Sequence, residues 1–205
     1  MKTNSQLLGL DFYNRSTLVV ARELLGCDIW FRNNDILFSG RIVETEAYIG
    51  MDDPACHAAV GKTARNAVMF GPAGISYVYF IYGMYNCLNV VTEADGFPAA
   101  VLIRAIEPIK GVGEMQRNRN KTRLRDLGSG PGKLCQALGI TREHSGLDLS
   151  GKKIWLTTGS APTNIVETTR IGISVGKEKP WRFYDADSIH VSKKDRFAER
   201  SPDAS

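Results

Sequence analysis

Two glutamates one residue apart, Glu44 and Glu46, stand in Gly40-Arg-Ile-Val-Glu-Thr-Glu-Ala-Tyr-Ile-Gly50. In an extended strand, alternation puts Ile42, Glu44, Glu46 and Tyr48 on one face. Carboxylates among Ile and Tyr are costly to bury unless they are paired or used. One such carboxylate can act as a general base toward water, because burial raises its pKa. The other reading is a salt bridge to a cation such as Arg41 or Arg104. His57 follows the Asp53-Pro54 turn and adjoins Cys56, but His57, His144 and His190 show no metal-ligand spacing, so no metal is expected. A Cys56–His57 nucleophilic pair has nothing to single it out.

Aromatic and glycine-rich stretches supply the second kind of chemistry. Between Ile75 and Thr92 lie Tyr77, Tyr79, Phe80, Tyr82 and Tyr85, in a tract otherwise dominated by Val and Ile. This composition predicts strand, turn, strand. Gly83 falls at the first central position of Tyr82-Gly83-Met84-Tyr85, as a type II′ turn requires. An exposed tyrosine at a hairpin tip suits stacking on a nucleic-acid base; the alternative is an aromatic core hairpin. Gly128-Ser-Gly-Pro-Gly-Lys-Leu-Cys-Gln-Ala-Leu-Gly139 predicts a short helix with Pro131 in its first turn and Gly139 at its end. The amides before that helix, with Lys133, form a candidate phosphate cradle. It is not a P-loop, since Leu127 and Leu134 occupy positions where that motif needs Gly and Ser or Thr. Arg117 to Arg125 carries five cations and no acid. Such a run is either a solvated segment or a polyanion contact.

The elements that position these residues follow from periodicity and breakers. Arg15 to Gly26 predicts a helix with Ser16 as N-cap and Gly26 at its stop. Asn33-Asn34-Asp35 joins strands at Ile29–Phe31 and Ile36–Phe38, and residues 40–50 form a further strand. Residues 51–74 are irregular. Ala99 to Ile106 reads as strand and Gly111 to Arg119 as helix, with closing strands at Ile154–Leu156, Arg170–Val175 and Ser188–Val191. Residues 1–14 and 198–205 read as flexible termini.

At 205 residues the chain has the length of one domain, burying about 70% of its unfolded surface. Its net charge of +4 permits a polyanionic partner without requiring one. The four cysteines form no C-x-x-C pair, which excludes a zinc ribbon and points to a reducing compartment. With no signal-peptide pattern and no apolar run of spanning length, the chain is expected to be intracellular and free of the membrane.

Several of these stretches resemble one family. Gly40–Gly50, His57, Thr63-Ala-Arg-Asn66, Tyr77–Tyr85 and Ser129–Leu138 occur in the order and spacing of the alkyladenine (3-methyladenine) DNA glycosylases of the mammalian type. The resemblance runs from about Leu18 to about Arg196. It implies a mixed α/β (α+β) fold: one domain with a curved antiparallel β-sheet, flanking helices and a protruding β-hairpin. It implies Glu46 as general base, with Arg104 helping it hold the attacking water. Tyr48, His57 and Tyr79 would enclose an extruded base, and Asn89 would clash with the 2-amino group of normal guanine. Tyr82 would fill the gap left by the flipped nucleotide. Thr63, Arg65, Met84, Gly130 and Lys133 would contact the DNA backbone.

The partner implied is double-stranded DNA containing damaged purines, bound by a monomer without a cofactor, in bacterial cytoplasm or a eukaryotic nucleus. A non-catalytic nucleic-acid-binding module would have no use for Glu46. A nucleoside or sugar hydrolase would have no use for Tyr82. The sequence departs from the family pattern in a longer Glu93–Pro98 segment and in Asn86, where an aromatic can occur.

Overall fold

The strand on which the sheet is built is β2 (Ile36–Ile49), which unites the two strands expected at 36–38 and 40–50. The computed structural model describes residues 5–195 and 197–198. Along one edge, the first half of β2 pairs with β1 (Asp28–Asn33), joined through Asn34-Asp35, where Asn34 takes φ 51°. Along the other edge it pairs with β5 (Ala99–Lys110). The hairpin β3 (Ser76–Ile81) and β4 (Tyr85–Val91) extends the sheet beyond β5, and β6 (Ile154–Thr157) extends it beyond β1. The second half of β2 pairs with β8 (Arg182–Asp185), which in turn pairs with β7 (Ile165–Thr168). All these pairings are antiparallel, and the curled sheet carries helices at its side.

Bulges decide which way β2 faces. Ile42 pairs with Ile106 but Glu44 pairs with Ala105, so Val43 is an extra residue. Parity therefore flips: Ile42 joins Ala47 in the main core, and does not share the face of Glu44 and Glu46 as simple alternation predicts. Thr45 then pairs with Ile103, leaving Arg104 as the extra residue on β5. Paired bulges of this kind re-aim side chains, and here they bring Arg104 to both glutamates.

The main core lies between the sheet and the helices α2 (Thr17–Glu23), α3 (Val112–Arg119) and α5 (Pro131–Leu138), with the short α1 (Leu10–Tyr13) and α4 (Arg125–Gly128) at its margins. The opposite face carries a smaller cluster of Cys56, Ala58, Met69, Tyr77, Val91 and Ala100. The cap of α2 differs from expectation. Ser16 makes no capping bond, and Glu93 instead accepts from the Thr17 N–H at 2.8 Å and its hydroxyl at 2.7 Å. Pro131 and Gly139 (φ 79°) bound α5 as the sequence predicts.

Three expected features differ. Arg170–Val175 is irregular because Gly172 and Gly176 take positive φ, 80° and 64°, and break the extended path. Ser188–Val191 is a turn in which Ser188 Oγ accepts the His190 N–H at 3.1 Å, competing with strand pairing. The true closing strands are β7 and β8. Of the N-terminal segment expected to be flexible, Gln6 and Leu8 hydrogen-bond to Thr158 and Leu156, and Leu8 and Tyr13 are buried. Residues 1–4 and 199–205 of the expected termini lie outside the described residues, as does Arg196.

Candidate active site

Cross-strand register assembles the site. Tyr77 pairs with Asn89, Asn89 with Leu102, and Leu102 with Glu46, one row across four strands. A neighbouring row runs Tyr48, Ala100, Val91. Side chains two residues apart share a face, so Tyr79, Cys87 and Arg104 lie beside the first row. All of these but Glu46 and Val91, which lie buried behind them, line a cavity of about 530 Å³. His57 and Ala55 close one side, Ile171-Gly172-Ile173 another, and the Gly130–Lys133 turn a third. The volume lies within the range of small-molecule sites.

Glu46 and Glu44 share Arg104 but differ in what else they meet. Arg104 Nε donates to Glu44 Oε1 at 3.1 Å and Nη1 to Glu46 Oε2 at 3.0 Å. Glu44 also accepts from Arg182 Nη1, the Ser192 hydroxyl and the Ser192 N–H, at 3.0, 2.9 and 2.7 Å. A carboxylate offers about four lone pairs, and Glu44 meets four protein donors, three on Oε1 and one on Oε2. Glu46 Oε2 takes Arg104 and the Tyr48 hydroxyl (2.8 Å), and Oε1 takes the Ile171 N–H (2.7 Å). That leaves one acceptor position on Oε1. Burial raises the Glu46 pKa, and Arg104, the Ile171 N–H and the Tyr48 hydroxyl oppose that rise. Burial and the Glu46 charge push the Tyr48 phenol upward, so Tyr48 keeps its proton and donates.

Aromatic rings form the cavity wall. His57 meets Tyr79 edge-on at 4.5 Å between centroids, and its Nδ1 lies 2.8 Å from the Tyr77 hydroxyl. Burial, aided by Arg65, lowers the His57 pKa, so the ring is neutral at pH 7. Tyr77, with burial pushing it up to about 12, keeps its proton. Asn89 is buried and its amide donates to the carbonyls of Tyr77 (3.0 Å) and Cys87 (3.3 Å), which fixes its orientation at the cavity. Asn66, not singled out from sequence beyond its motif, ties the adjoining loop. Its Nδ2 donates to His57 O and Gly61 O, each at 2.8 Å, and its Oδ1 accepts from the Thr63 N–H at 2.7 Å.

The hairpin tip stands at the cavity mouth, with Tyr82 75% exposed and Met84 64%. The turn differs from expectation. Met84 N–H bonds to Ile81 O at 3.2 Å, and Tyr82 (φ 54°) and Gly83 (φ 66°) are its central residues. Two positive φ values make it type I′-like, with Met84 as the extra residue before the ladder resumes at Tyr85. Arg65 is exposed and lies over Tyr79, 5.8 Å from the ring centre, while Nη2 donates to Phe80 O. Thr63 and Lys133 are exposed as well. Lys133 Nζ is 3.5 Å from Ser129 Oγ, with Gly130 and Gly132 at the cavity edge. A Cβ on Gly132 would stand 2.8 Å from the Tyr85 ring. Of the basic run, Arg117 and Arg119 lie on α3, where Arg117 pairs with Glu114 and Arg119 with Gln136, and Arg119 reaches the cavity. Lys121, Arg123 and Arg125 are exposed.

Asp53 and Arg170 were not found from sequence. Their side chains are wholly buried, with paired bonds of 2.6 and 2.8 Å. Among the described residues no group of three or more His, Cys, Asp or Glu is placed to hold a metal, and no helix is long and apolar enough to cross a membrane.

The site thus combines a carboxylate held by an arginine, buried behind an aromatic cavity, with an exposed tyrosine at the cavity mouth. Residues 11–189 match the family model for methylpurine-DNA glycosylase. The chain belongs to the methylpurine-DNA glycosylase family, hydrolases that act on N-glycosyl bonds in DNA repair. Its relatives include a Methanocella arvoryzae protein, 53% identical over 193 residues (92% of this chain, 96% of the relative). One from Carboxydothermus hydrogenoformans is 52% identical over 191 residues (92% and 100%). One from a Wolbachia of Brugia malayi is 55% identical over 181 residues (88% and 98%). Each of the three bears the name "Putative 3-methyladenine DNA glycosylase".

Proposed function

We propose that the protein is a monofunctional glycosylase that draws a damaged purine from duplex DNA into the cavity and hydrolyses its N-glycosidic bond with water activated by Glu46. The observation that carries this reading is that all three donors to Glu46, from Arg104, Tyr48 and Ile171, come from residues lining the aromatic cavity, and that its Oε1 takes only one of them, while Glu44 meets four donors. A water donating to Oε1 of Glu46 is oriented and loses its proton as it attacks C1′. The carboxylate charge also favours an oxocarbenium-like C1′. Burial raises the Glu46 pKa, and Arg104 opposes that rise and so favours the ionised form.

Extruding the nucleotide costs a few kcal/mol, least for a damaged or poorly stacked pair. Tyr82 offsets that cost by entering the vacated stack through the minor groove. Tyr48, Tyr79 and His57 then enclose the base, with stacking worth about 1–3 kcal/mol per base and tolerant of identity. A broad set of lesions follows: 3-methyladenine, 7-methylguanine, hypoxanthine and ethenoadenine. Asn89 excludes normal guanine by its 2-amino group. Alkylated purines already carry positive charge and leave without protonation. Thr63, Arg65, Met84, Gly130 and Lys133 contact the backbone, and the protein acts as a monomer inside the cell.

The test uses duplex DNA holding one 3-methyladenine or one hypoxanthine. Release of free base, leaving an unnicked abasic strand, supports the proposal. Strand cleavage with a borohydride-trappable adduct would show a lyase instead. Tight, salt-sensitive binding without base release would favour the binding module.

A further inference from the structure

We propose that the buried Asp53–Arg170 pair is a positioning device for the reaction, which sets both the Tyr48 ring and the Glu46 carboxylate. The inference rests on the glycosylase reading and deepens it. Arg170 joins three segments. Its Nη1 donates to Asp53 Oδ2 at 2.6 Å and to Ala47 O on β2 at 3.0 Å, and its Nη2 to Asp53 Oδ1 at 2.8 Å and to Gly176 O at 3.2 Å. The guanidinium is layered between the rings of Tyr48, 4.7 Å from its centre, and Trp181, 5.1 Å away. Tyr48 lines the cavity and Arg170 does not, so the flat cation backs the ring from outside the cavity.

The residue after Arg170 completes the device. Ile171 donates its N–H to Glu46 Oε1, the oxygen that keeps the open acceptor position. The segment carrying Ile171 has no strand pairing, and the grip on Arg170, with the Arg182 Nε bond to Thr169 O at 2.9 Å, holds this amide in place. Asp53 reaches the opposite wall too. It accepts from the Ile49 N–H (3.3 Å) and the Ala55 N–H (3.2 Å), two residues before His57. A fully buried ion pair is an inefficient source of stability, because desolvation offsets its attraction. Its geometry here instead serves alignment, since two parallel bonds fix a guanidinium as one cannot.

Arg170→Lys keeps the charge and removes the fork, and Asp53→Asn keeps the shape and removes the charge. The test is single-turnover base release across pH, with affinity for abasic-site duplex and thermal stability measured in parallel. The groups facing Glu46 are Arg104, Glu44, Tyr48, Tyr79, Cys87 and Arg170. Neither variant substitutes the first five, so a shift of the acid limb reports the Ile171 and Tyr48 contacts to Glu46 and the charge at the pair. In both variants the maximal rate is expected to fall about 10- to 100-fold, as for a misplacement near 1 Å. In Arg170→Lys, which keeps the local charge but loosens the Ile171 contact, the acid limb should move to higher pH, while affinity changes less than about 3-fold in both variants. An unchanged rate and limb overturns the inference while wild-type activity leaves the glycosylase reading standing. So does a rate that falls only in step with stability and affinity, or loss of the folded state in both variants, since each makes the pair purely structural. Wild-type protein that releases no base contradicts the glycosylase reading itself.

Discussion

Glu44 and Glu46 are the same residue type on the same strand face, and their neighbours divide the work between them. Glu44 is enclosed by Arg104, Arg182 and Ser192. Glu44→Gln removes one side of a buried charge network, so it should lower stability by about 3 kcal/mol in denaturant unfolding. The glutamate pair was legible from its spacing. The resemblance points to Glu46 as the base, but the donors that set the two glutamates apart were not legible, because Arg182 and Ser192 stand 138 and 148 positions from Glu44 in the chain. Asp53 and Arg170 escaped notice for the same reason, at a separation of 117. Their two roles also differ in pH. Burial raises Glu46 above the ordinary 4.5, so the base-release rate should fall as pH drops through that raised pKa, with a midpoint above 4.5. Arg170 holds Asp53 below the ordinary 3.8. Its contribution to stability is present above 3.8 and is lost as pH falls through the depressed value. Acid titration of unfolding should therefore show a shallower stability loss below pH 3.8 in Asp53→Asn than in wild type.

At the scale of elements, the hairpin β3–β4 carries its exposed tyrosine on a positive-φ turn, and under the proposed function that tyrosine is the wedge that displaces a base. Tyr82 is largely exposed, so Tyr82→Ala should change unfolding free energy by less than about 0.5 kcal/mol. It should nonetheless slow base release and weaken binding to lesion duplex. Gly83→Val puts a β-branched side chain at φ 66° and should destabilise the hairpin by at least about 1 kcal/mol, read from thermal unfolding. The aromatic hairpin was legible because Val, Ile and Tyr alternate around a single glycine. Its turn was displaced by one residue because a tyrosine at positive φ is not the expectation from sequence. The bulges at Val43 and Arg104 leave no local mark, yet without them Arg104 would not meet the glutamates. The segment after Arg170 reads as a strand from its Ile and Val content, and glycines at positive φ override that propensity.

At the scale of the whole molecule, the cavity mouth gathers Tyr82, Arg119 and Lys133 from three separate elements onto one side of a chain of net charge +4. Duplex affinity should fall steeply with added salt, and Lys133→Ala should reduce the slope of log affinity against log salt by about 1. The fold class was legible from the family-like order of motifs, while the branching of the sheet at β2 toward β8 was not. That branch depends on β7 and β8, short strands joined by a long irregular connection from Thr169 to Trp181 instead of a tight hairpin turn. The account's central claim is that Glu46 activates water, and single-turnover release of hypoxanthine by wild type and Glu46→Gln tests it most directly. The expected result is a rate loss of at least about 100-fold in Glu46→Gln with lesion affinity retained. A variant that released base at the wild-type rate would contradict the claim.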